Sequence, residues 1–202
     1  ASFCNIGLQL DLSKYSDTAK ELLFNSALPG KDISYNKSSF ALDNNATSSD
    51  RMMTAMGQGE TLVSPYHMAL ITSAVANGGR LMEPYLVEEV TNYSGTIVEE
   101  TDPESYGQLM TSEEAAQLKA YMQNVTDYGT GSVFAGSGYS VAGKTGTAEY
   151  SDGDSSKNHS WFVGFTNVDN PELVISVIIE EADGNVRAVD VAKQILDSYY
   201  YN

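Results

Sequence analysis

The stretch Val141-Ala-Gly-Lys-Thr-Gly-Thr-Ala-Glu149 matches two short patterns that require different folds. Together with the residues before it, the stretch completes Gly138-Tyr-Ser-Val-Ala-Gly-Lys-Thr145, which is the G-x-x-x-x-G-K-[ST] pattern of phosphate-binding loops. From Lys144 onward it reads Lys-Thr-Gly-Thr, a pattern that indicates an edge strand against which a substrate backbone can lie. The neighbouring segments decide between the two.

A phosphate-binding loop needs a buried strand before it and a helix immediately after the Lys-Thr pair, because the helix N-terminus holds the phosphate. Upstream, residues 129–138 contain four glycines and no apolar run. Downstream, residues 146–156 have the composition of a loop and no helical period. The flanks therefore argue against a nucleotide-binding protein, which an ATP titration would test, and we expect a strand over residues 141–148.

As a strand, the same residues carry a particular chemistry. Lys144 places a positive charge where a reacting carbonyl and a substrate carboxylate would lie. Thr145 and Thr147 stand at alternate positions, so their hydroxyls share one face. Small side chains at alternating and neighbouring positions would let a substrate backbone approach the strand. These small residues are Gly143, Gly146 and Ala148.

Charge and composition exclude several classes of function. The chain has 11 basic and 27 acidic residues, a formal charge of −16, which argues against nucleic acid and anionic membranes as partners. The lone Cys4 cannot form an internal disulfide, and two histidines with one cysteine do not favour a zinc site. No apolar run approaches the ~18 residues of a membrane span. The first residues lack the features of a signal peptide, so we expect a soluble piece of something longer.

Periodicity and turn residues predict helices and a sheet of at least three strands, with the chain ending strand-strand-helix, and hence an α+β domain. The run 173–179 is apolar almost throughout, so we expect a central strand buried on both faces. Met68, Ile71, Thr72 and Val75 are expected to form the buried face of their helix. The predicted elements are a helix at 16–25, a loop at 29–50, a helix at 65–76, a hairpin at 85–99, a helix at 111–127, strands at 141–148, 161–165 and 173–179, and a closing helix at 186–200.

Short motifs stand in a fixed order along the chain. They are Cys4-Asn-Ile-Gly-Leu8, Ala55-Met-Gly-Gln-Gly59, Ser64-Pro-Tyr-His-Met-Ala69, Ala74-Val-Ala-Asn-Gly-Gly79, Gly129-Thr-Gly131, Val141–Glu149 and Trp161-Phe-Val-Gly-Phe165. In this order they resemble the penicillin-binding transpeptidases of bacterial cell-wall synthesis. The Gly-Gln-Gly and Asn-Gly-Gly pieces are interpreted as turn and helix-stop elements rather than ligand contacts.

The resemblance implies a partial penicillin-binding transpeptidase fold, similar to β-lactamases, with an antiparallel sheet flanked by helices. The chain would be the C-terminal portion of one transpeptidase domain, residues 1–202. Its parts would be a helical part at about 1–80, the hairpin at about 85–99, a helix at about 111–127, and the sheet with the closing helix at about 140–202. The N-terminal segment with the nucleophile would be absent, so the apolar faces of 65–76 and 173–179 would lose a covering element.

The resemblance also implies roles for named residues. Lys144 and Asn5 correspond to catalytic positions, and Asn5 would help to hold the substrate peptide. Thr145, Gly146 and Thr147 would bind substrate, with the Thr147 N–H as one oxyanion donor. No metal or other cofactor is implied. The family's S-x-N motif is altered here, because Phe3 stands where its serine belongs and Ser2 comes one place too early.

The acylated serine of the family lies in an S-x-x-K motif before the S-x-N segment. Ser34-Tyr-Asn-Lys37 fits those letters, but it follows Asn5 and lies in a polar stretch, whereas a nucleophile should open a buried helix. We therefore do not take Ser34 as the nucleophile. The chain by itself is expected to be inactive.

By resemblance, the complete enzyme would attack the penultimate D-alanine carbonyl of a peptidoglycan stem peptide, release the last D-alanine and pass the acyl group to an amine. Its partners would be D-Ala-D-Ala stem peptides, β-lactams that mimic them, and the missing N-terminal half of the same protein. It would lie at the extracytoplasmic face of a bacterial membrane, anchored by an upstream segment. The alternatives are a non-catalytic sensor or scaffold, for which Phe3 is the best support, and a D,D-carboxypeptidase or β-lactamase of the same superfamily.

Overall fold

In the computed structural model, which describes residues 2–149, 158–182 and 184–202, groups of helices are followed by groups of strands along the chain. None of the helices in these ranges is both long and apolar enough to cross a membrane. The elements are α1 (Ser2–Gln9), α2 (Leu12–Glu21), α3 (Ser48–Ala55), α4 (Pro65–Ala76), β1 (Arg80–Met82), β2 (Glu89–Thr91), β3 (Ile97–Glu100), β4 (Ser105–Gln108), α5 (Ser112–Asp127), a 3-10 turn (Ser132–Phe134), β5 (Val141–Glu149), β6 (Asn158–Thr166), β7 (Val174–Ala182) and α6 (Ala188–Tyr201).

The main sheet is antiparallel and has the strand order β5-β6-β7. Gly143 lies opposite Gly164, and Phe165 lies opposite Val174. The prediction that 173–179 is the central strand is therefore wrong, since β6 is central and β7 lies at the edge. An apolar run indicates that both faces of a strand are covered, as α4 and α6 cover β7 here. It does not indicate how many strands pair with that strand. Two short antiparallel pairs, β1-β4 and β2-β3, complete the strands of the described residues.

Each face of the main sheet has its own buried cluster. On one face, Phe162 packs with Val189 and Leu196 of α6. On the other face, Ala142 and Phe165 pack with Val75 of α4. The sheet therefore lies between α6 on one side and α4 with α5 on the other, which agrees with the expected antiparallel sheet flanked by helices.

The helix α4 is buried around most of its circumference. His67, Leu70 and Ala74 are buried although they lie off the predicted face, while Met68 and Ile71 of that face are only half-buried. The prediction of one apolar face was wrong because α4 packs against the sheet, β1 and α5 at once. For the same reason the helix does not expose the apolar face that was expected for residues 65–76.

Two helix assignments in the first 55 residues also differ from prediction. The first long helix begins after Asp11, whose carboxylate accepts hydrogen bonds from the N–H groups of Ser13 and Lys14. Ser16, where the predicted helix would begin, instead lies inside α2 and donates its hydroxyl to the Leu42 carbonyl. The predicted loop at 29–50 contains the start of α3, where Thr47 and Asp50 form a capping box.

The remaining helix ends agree with the sequence. Ser64 caps α4 and Pro65 is its first residue. Gly78 and Gly79 follow the helix with φ of 64° and 90°, so the Asn-Gly-Gly piece stops the helix as predicted. The capping box of Thr111 and Glu114 starts α5, and the predicted hairpin forms between β2 and β3.

Candidate functional site

The Lys-Thr-Gly-Thr motif lies within β5, which continues as a strand from Val141 to Glu149. The strand extends five residues beyond Lys144, so the helix that a phosphate-binding loop requires does not follow the Lys-Thr pair. The predicted strand over residues 141–148 is confirmed, and the phosphate-loop interpretation is excluded.

One side of β5 pairs with β6, and the opposite side is an edge of the sheet. The Thr147 carbonyl and the Glu149 N–H point to this open edge, because both hydrogen-bond to the side chain of Gln58 at 3.2 Å. The N–H and C=O of one residue in a strand point to the same side, and alternate residues repeat the direction. The backbone groups of Gly143, Thr145 and Thr147 therefore all face the open edge.

Side chains from other elements occupy both ends of this edge. At the beginning, the Thr126 hydroxyl of α5 donates to the Val141 carbonyl at 2.5 Å. At the end, Gln58 binds Thr147 and Glu149. Between them lies the segment Gly143–Thr147, which we call the edge window. At 3.3 Å per residue it is about 13 Å long, enough for two or three residues of an extended ligand.

The Lys144 ammonium group lies at the edge window. Its side chain is exposed and leaves the same face of the sheet as Ala142. It then turns back to donate to the Thr145 carbonyl, which points to the open edge. The positive charge is thus placed beside the backbone groups that a paired ligand would use.

The side chains of Thr145 and Thr147 leave the opposite face of the sheet from Lys144, as alternation along a strand requires. The Thr145 hydroxyl lies 2.5 Å from the Thr130 hydroxyl. Thr130 belongs to Gly129-Thr-Gly131, which follows the end of α5. The Thr147 side chain is exposed. The predicted polar residues therefore lie on both sides of one strand edge.

The glycines of the motif are required by packing within the sheet. A Cβ atom at Gly143 would lie 2.5 Å from Cζ of Phe162 on β6. A Cβ atom at Gly146 would lie 3.1 Å from the Cβ of Trp161. The sequence interpretation of these glycines as room for a substrate backbone is thus not needed, because bulky neighbours on β6 already account for them.

Asn5 lies exposed on α1. The helix α1 packs against α3, and a Cβ atom at Gly7 would lie 2.5 Å from the Cβ of Ala55. Arg51 of α3 donates to the Leu8 carbonyl at 2.9 Å. Among the hydrogen bonds that the structure gives for the described residues, none joins Asn5 to β5.

Phe3 departs from one motif of the family, and Ser34 lies in a stretch that has the letters of another. Phe3 is 66% exposed on α1. Ser34 is exposed in an irregular segment between α2 and α3, whereas a nucleophile should open a buried helix. The structure thus agrees with the view that Ser34-Tyr-Asn-Lys37 matches the nucleophile motif in its letters only.

Three polar residues at the edge of β5 were missed by sequence reasoning. Gln58 was interpreted only as part of a turn, although its position between two glycines could have drawn attention to its side chain. Thr130 stands in a recognised motif to which no contact was assigned. Thr126 has no signal in the sequence. Within the ranges that the structure describes, no group of three or more His, Cys, Asp or Glu residues is arranged to hold a metal ion.

Comparison with known proteins identifies the family to which the chain belongs. The family model of the penicillin-binding protein transpeptidase domain matches residues 2–197. The chain belongs to this family. The peptidoglycan D,D-transpeptidase MrdA of Haemophilus influenzae is 32% identical over 172 residues, which cover 76% of this chain and 26% of MrdA. The chain thus spans about a quarter of the length of this curated relative.

Solved structures of penicillin-binding proteins share the fold. The D,D-transpeptidase domain of a peptidoglycan glycosyltransferase from Eggerthella lenta superposes with a TM-score of 0.82 at 27% identity, covering 100% of this chain and 51% of that chain. Penicillin-binding protein A from M. tuberculosis, solved as an imipenem acyl-enzyme, gives a TM-score of 0.82 at 22% identity and covers 98% of this chain and 44% of that one. The expected partial penicillin-binding transpeptidase fold is confirmed.

Proposed function

We propose that this chain is the C-terminal portion of a peptidoglycan D,D-transpeptidase and that its edge window holds the acyl donor. The observation that carries the proposal is the arrangement at β5, where the Lys144 ammonium group and the outward-facing Thr147 N–H lie along one open strand edge. An open edge binds an extended peptide through main-chain hydrogen bonds. The family relationship supports the same function.

In this proposal the D-Ala-D-Ala end of a stem peptide lies extended along the edge window. The Thr147 N–H donates to the oxygen of the penultimate D-alanine carbonyl. When the serine oxygen adds to that carbonyl carbon, the oxygen becomes an anion and the hydrogen bond strengthens, a contribution of about 3–4 kcal/mol per donor in acyl transfer. Lys144 attracts the terminal carboxylate, and Thr145 and Thr147 help to orient it. β-Lactams occupy the same place.

The remaining parts of the reaction belong to the missing N-terminal half. The serine and lysine of the S-x-x-K motif lie there, so the 202-residue chain does not acylate by itself. The same half packs against the outer edge of β7, with which no strand pairs in the described residues. Asn5 helps to hold the substrate peptide. The complete protein lies at the extracytoplasmic face of a bacterial membrane, held by an upstream segment, because its substrate is peptidoglycan.

A non-catalytic sensor or scaffold is the second candidate. It is favoured by one observation, the presence of Phe3 at the position of the S-x-N serine. A D,D-carboxypeptidase or β-lactamase would use the same edge, and analysis of the products from a stem peptide, with and without an amine acceptor, separates these from a transpeptidase.

Labelling with a fluorescent penicillin tests the proposal. We expect no covalent label on the 202-residue chain and stable label on the complete protein that carries it. Lys144→Gln should slow labelling of the complete protein by about 100-fold, because a preorganised charge at the reacting centre is lost. Lys14→Gln, at an exposed position on α2, serves as the control and should label at the wild-type rate. Stable label on the 202-residue chain would contradict the missing nucleophile, and a folded complete protein without label would contradict the function.

A further inference from the structure

The backbone of Gln58 is fixed at the C-terminal end of α3. The Gly57 N–H donates to the Thr54 carbonyl at 3.0 Å, and the Gln58 N–H donates to the Met53 carbonyl at 2.9 Å. Gly57 has a φ of 85°, so this is the Schellman arrangement that ends many helices. The base of the Gln58 side chain is therefore held by the helix, although Gln58 itself lies outside it.

The side-chain amide of Gln58 spans two positions of the β5 edge. Its Nε2 donates to the Thr147 carbonyl at 3.2 Å, and its Oε1 accepts from the Glu149 N–H at 3.2 Å. A neighbouring strand would likewise offer a donor to the Thr147 carbonyl and an acceptor to the Glu149 N–H. The primary amide therefore pairs with β5 as a short strand would, and it ends the edge window at Thr147.

Resting on the proposed function, we propose that Gln58 is a positioning residue that holds the Thr147 N–H in place for the acyl-donor carbonyl. Gln58 restrains the peptide units on the C-terminal side of Thr147, while Thr126 restrains the start of β5 at Val141. The outer edge of a strand has no ladder of hydrogen bonds to fix it. Restraint at both ends therefore limits how far the N–H of Thr147 can turn away from the site.

The same contact connects the predicted catalytic residues. Asn5 lies on α1, which packs on α3, and α3 carries Gln58 at its end. The hydrogen bonds of Gln58 thus join the packed pair of α1 and α3 to the strand that carries Lys144. Both neighbours of Gln58 are glycines in the left-handed region, with φ of 85° at Gly57 and 81° at Gly59, as the helix end and the turn after it require.

The first test measures the contact in the 202-residue chain by amide hydrogen exchange. With Gln58→Ala, the Glu149 N–H should exchange about 10-fold faster, because its acceptor is lost. Gln58→Glu keeps an acceptor oxygen and should protect the Glu149 N–H as the wild type does. The Gly146 N–H, on the β6 side of β5, reports that the strand is intact, and Gln117→Ala on α5 is the control. Unchanged exchange at Glu149 in Gln58→Ala would overturn the proposal.

The second test separates positioning from binding in the complete protein. Gln58→Ala should lower the limiting rate of acylation by penicillin about 10-fold, because an oxyanion donor acts mainly in the transition state. The dissociation constant of the preceding complex should change by less than about twofold, since ground-state binding is little affected. A loss confined to affinity, or an unchanged rate, would overturn the proposal. If the wild-type complete protein is not acylated, the proposed function fails, while the exchange at Glu149 still decides whether Gln58 restrains β5.

Discussion

The outer edge of β5 carries glycines, threonines and a lysine, whereas the outer edge of β7 carries valines and isoleucines. Both strands flank β6 in the same sheet, but their outer edges differ in the contacts that they make with other parts of the molecule. The edge of β5 is bound at both ends by side chains from α5 and the turn after α3, which leaves the edge window between them. In the described residues, no further strand pairs with the edge of β7.

The different residues of the two edges indicate different binding partners. An exposed apolar edge strand favours association with another strand, and natural proteins cover such edges or place charges on them. Half-buried Ile178 and Val177 with no charge among the first residues of β7 fit an edge that another part of the same protein covers permanently. Short polar side chains and an exposed ammonium group on β5 fit the proposal that a ligand covers this edge during a reaction.

Among substitutions in the two strands, Gly143→Ala is expected to have the largest effect on stability. The new methyl group would lie 2.5 Å from the Phe162 ring, so we expect the free energy of unfolding of the 202-residue chain to fall by about 2–3 kcal/mol. Denaturant titration measures this. Gly107→Ala is the matched control, because no atom lies within 4 Å of a Cβ at that position. If Gly143→Ala were as stable as the control, the glycine would be needed for the ligand rather than for the sheet.

A smaller effect is expected from Ser176→Ala on β7. The Ser176 hydroxyl is buried and has no hydrogen-bond partner among the described residues. Removing an unsatisfied buried hydroxyl should stabilise the 202-residue chain by about 1 kcal/mol in denaturant titration. In the complete protein the gain should disappear or change sign if the covering part supplies a partner. A loss of stability in the 202-residue chain would show that the hydroxyl is already satisfied.

The sequence predicted well those features that depend on neighbouring residues. The helices predicted at 65–76 and 111–127 are found, and so is the Asn77-Gly-Gly79 stop. Local caps start both helices. The strand at 141–148 was predicted because its flanks excluded a helix. The order of motifs identified the family without knowledge of the contacts.

Features that depend on distant contacts could not be predicted in the same way. The position of β7 at an edge depends on which strands pair, and an apolar run carries no information about that. The burial of α4 on several sides depends on three elements that approach it from different parts of the chain. Gln58 and Thr147 are 89 residues apart, so the contact that ends the edge window has no local signature.

In the proposed function the two strand edges differ in what covers them: a ligand at β5 and the rest of the protein at β7. Amide hydrogen exchange, measured on the complete protein and on the 202-residue chain, tests this difference most directly. We expect the outward-facing β7 amides to become protected in the complete protein, because in the proposed function the N-terminal half packs against this edge. The account predicts that the Thr147 N–H exchanges fast in the free complete protein and becomes protected on acylation by a penicillin. A Thr147 N–H that is already protected in the free protein, or that stays unprotected after acylation, would contradict the account.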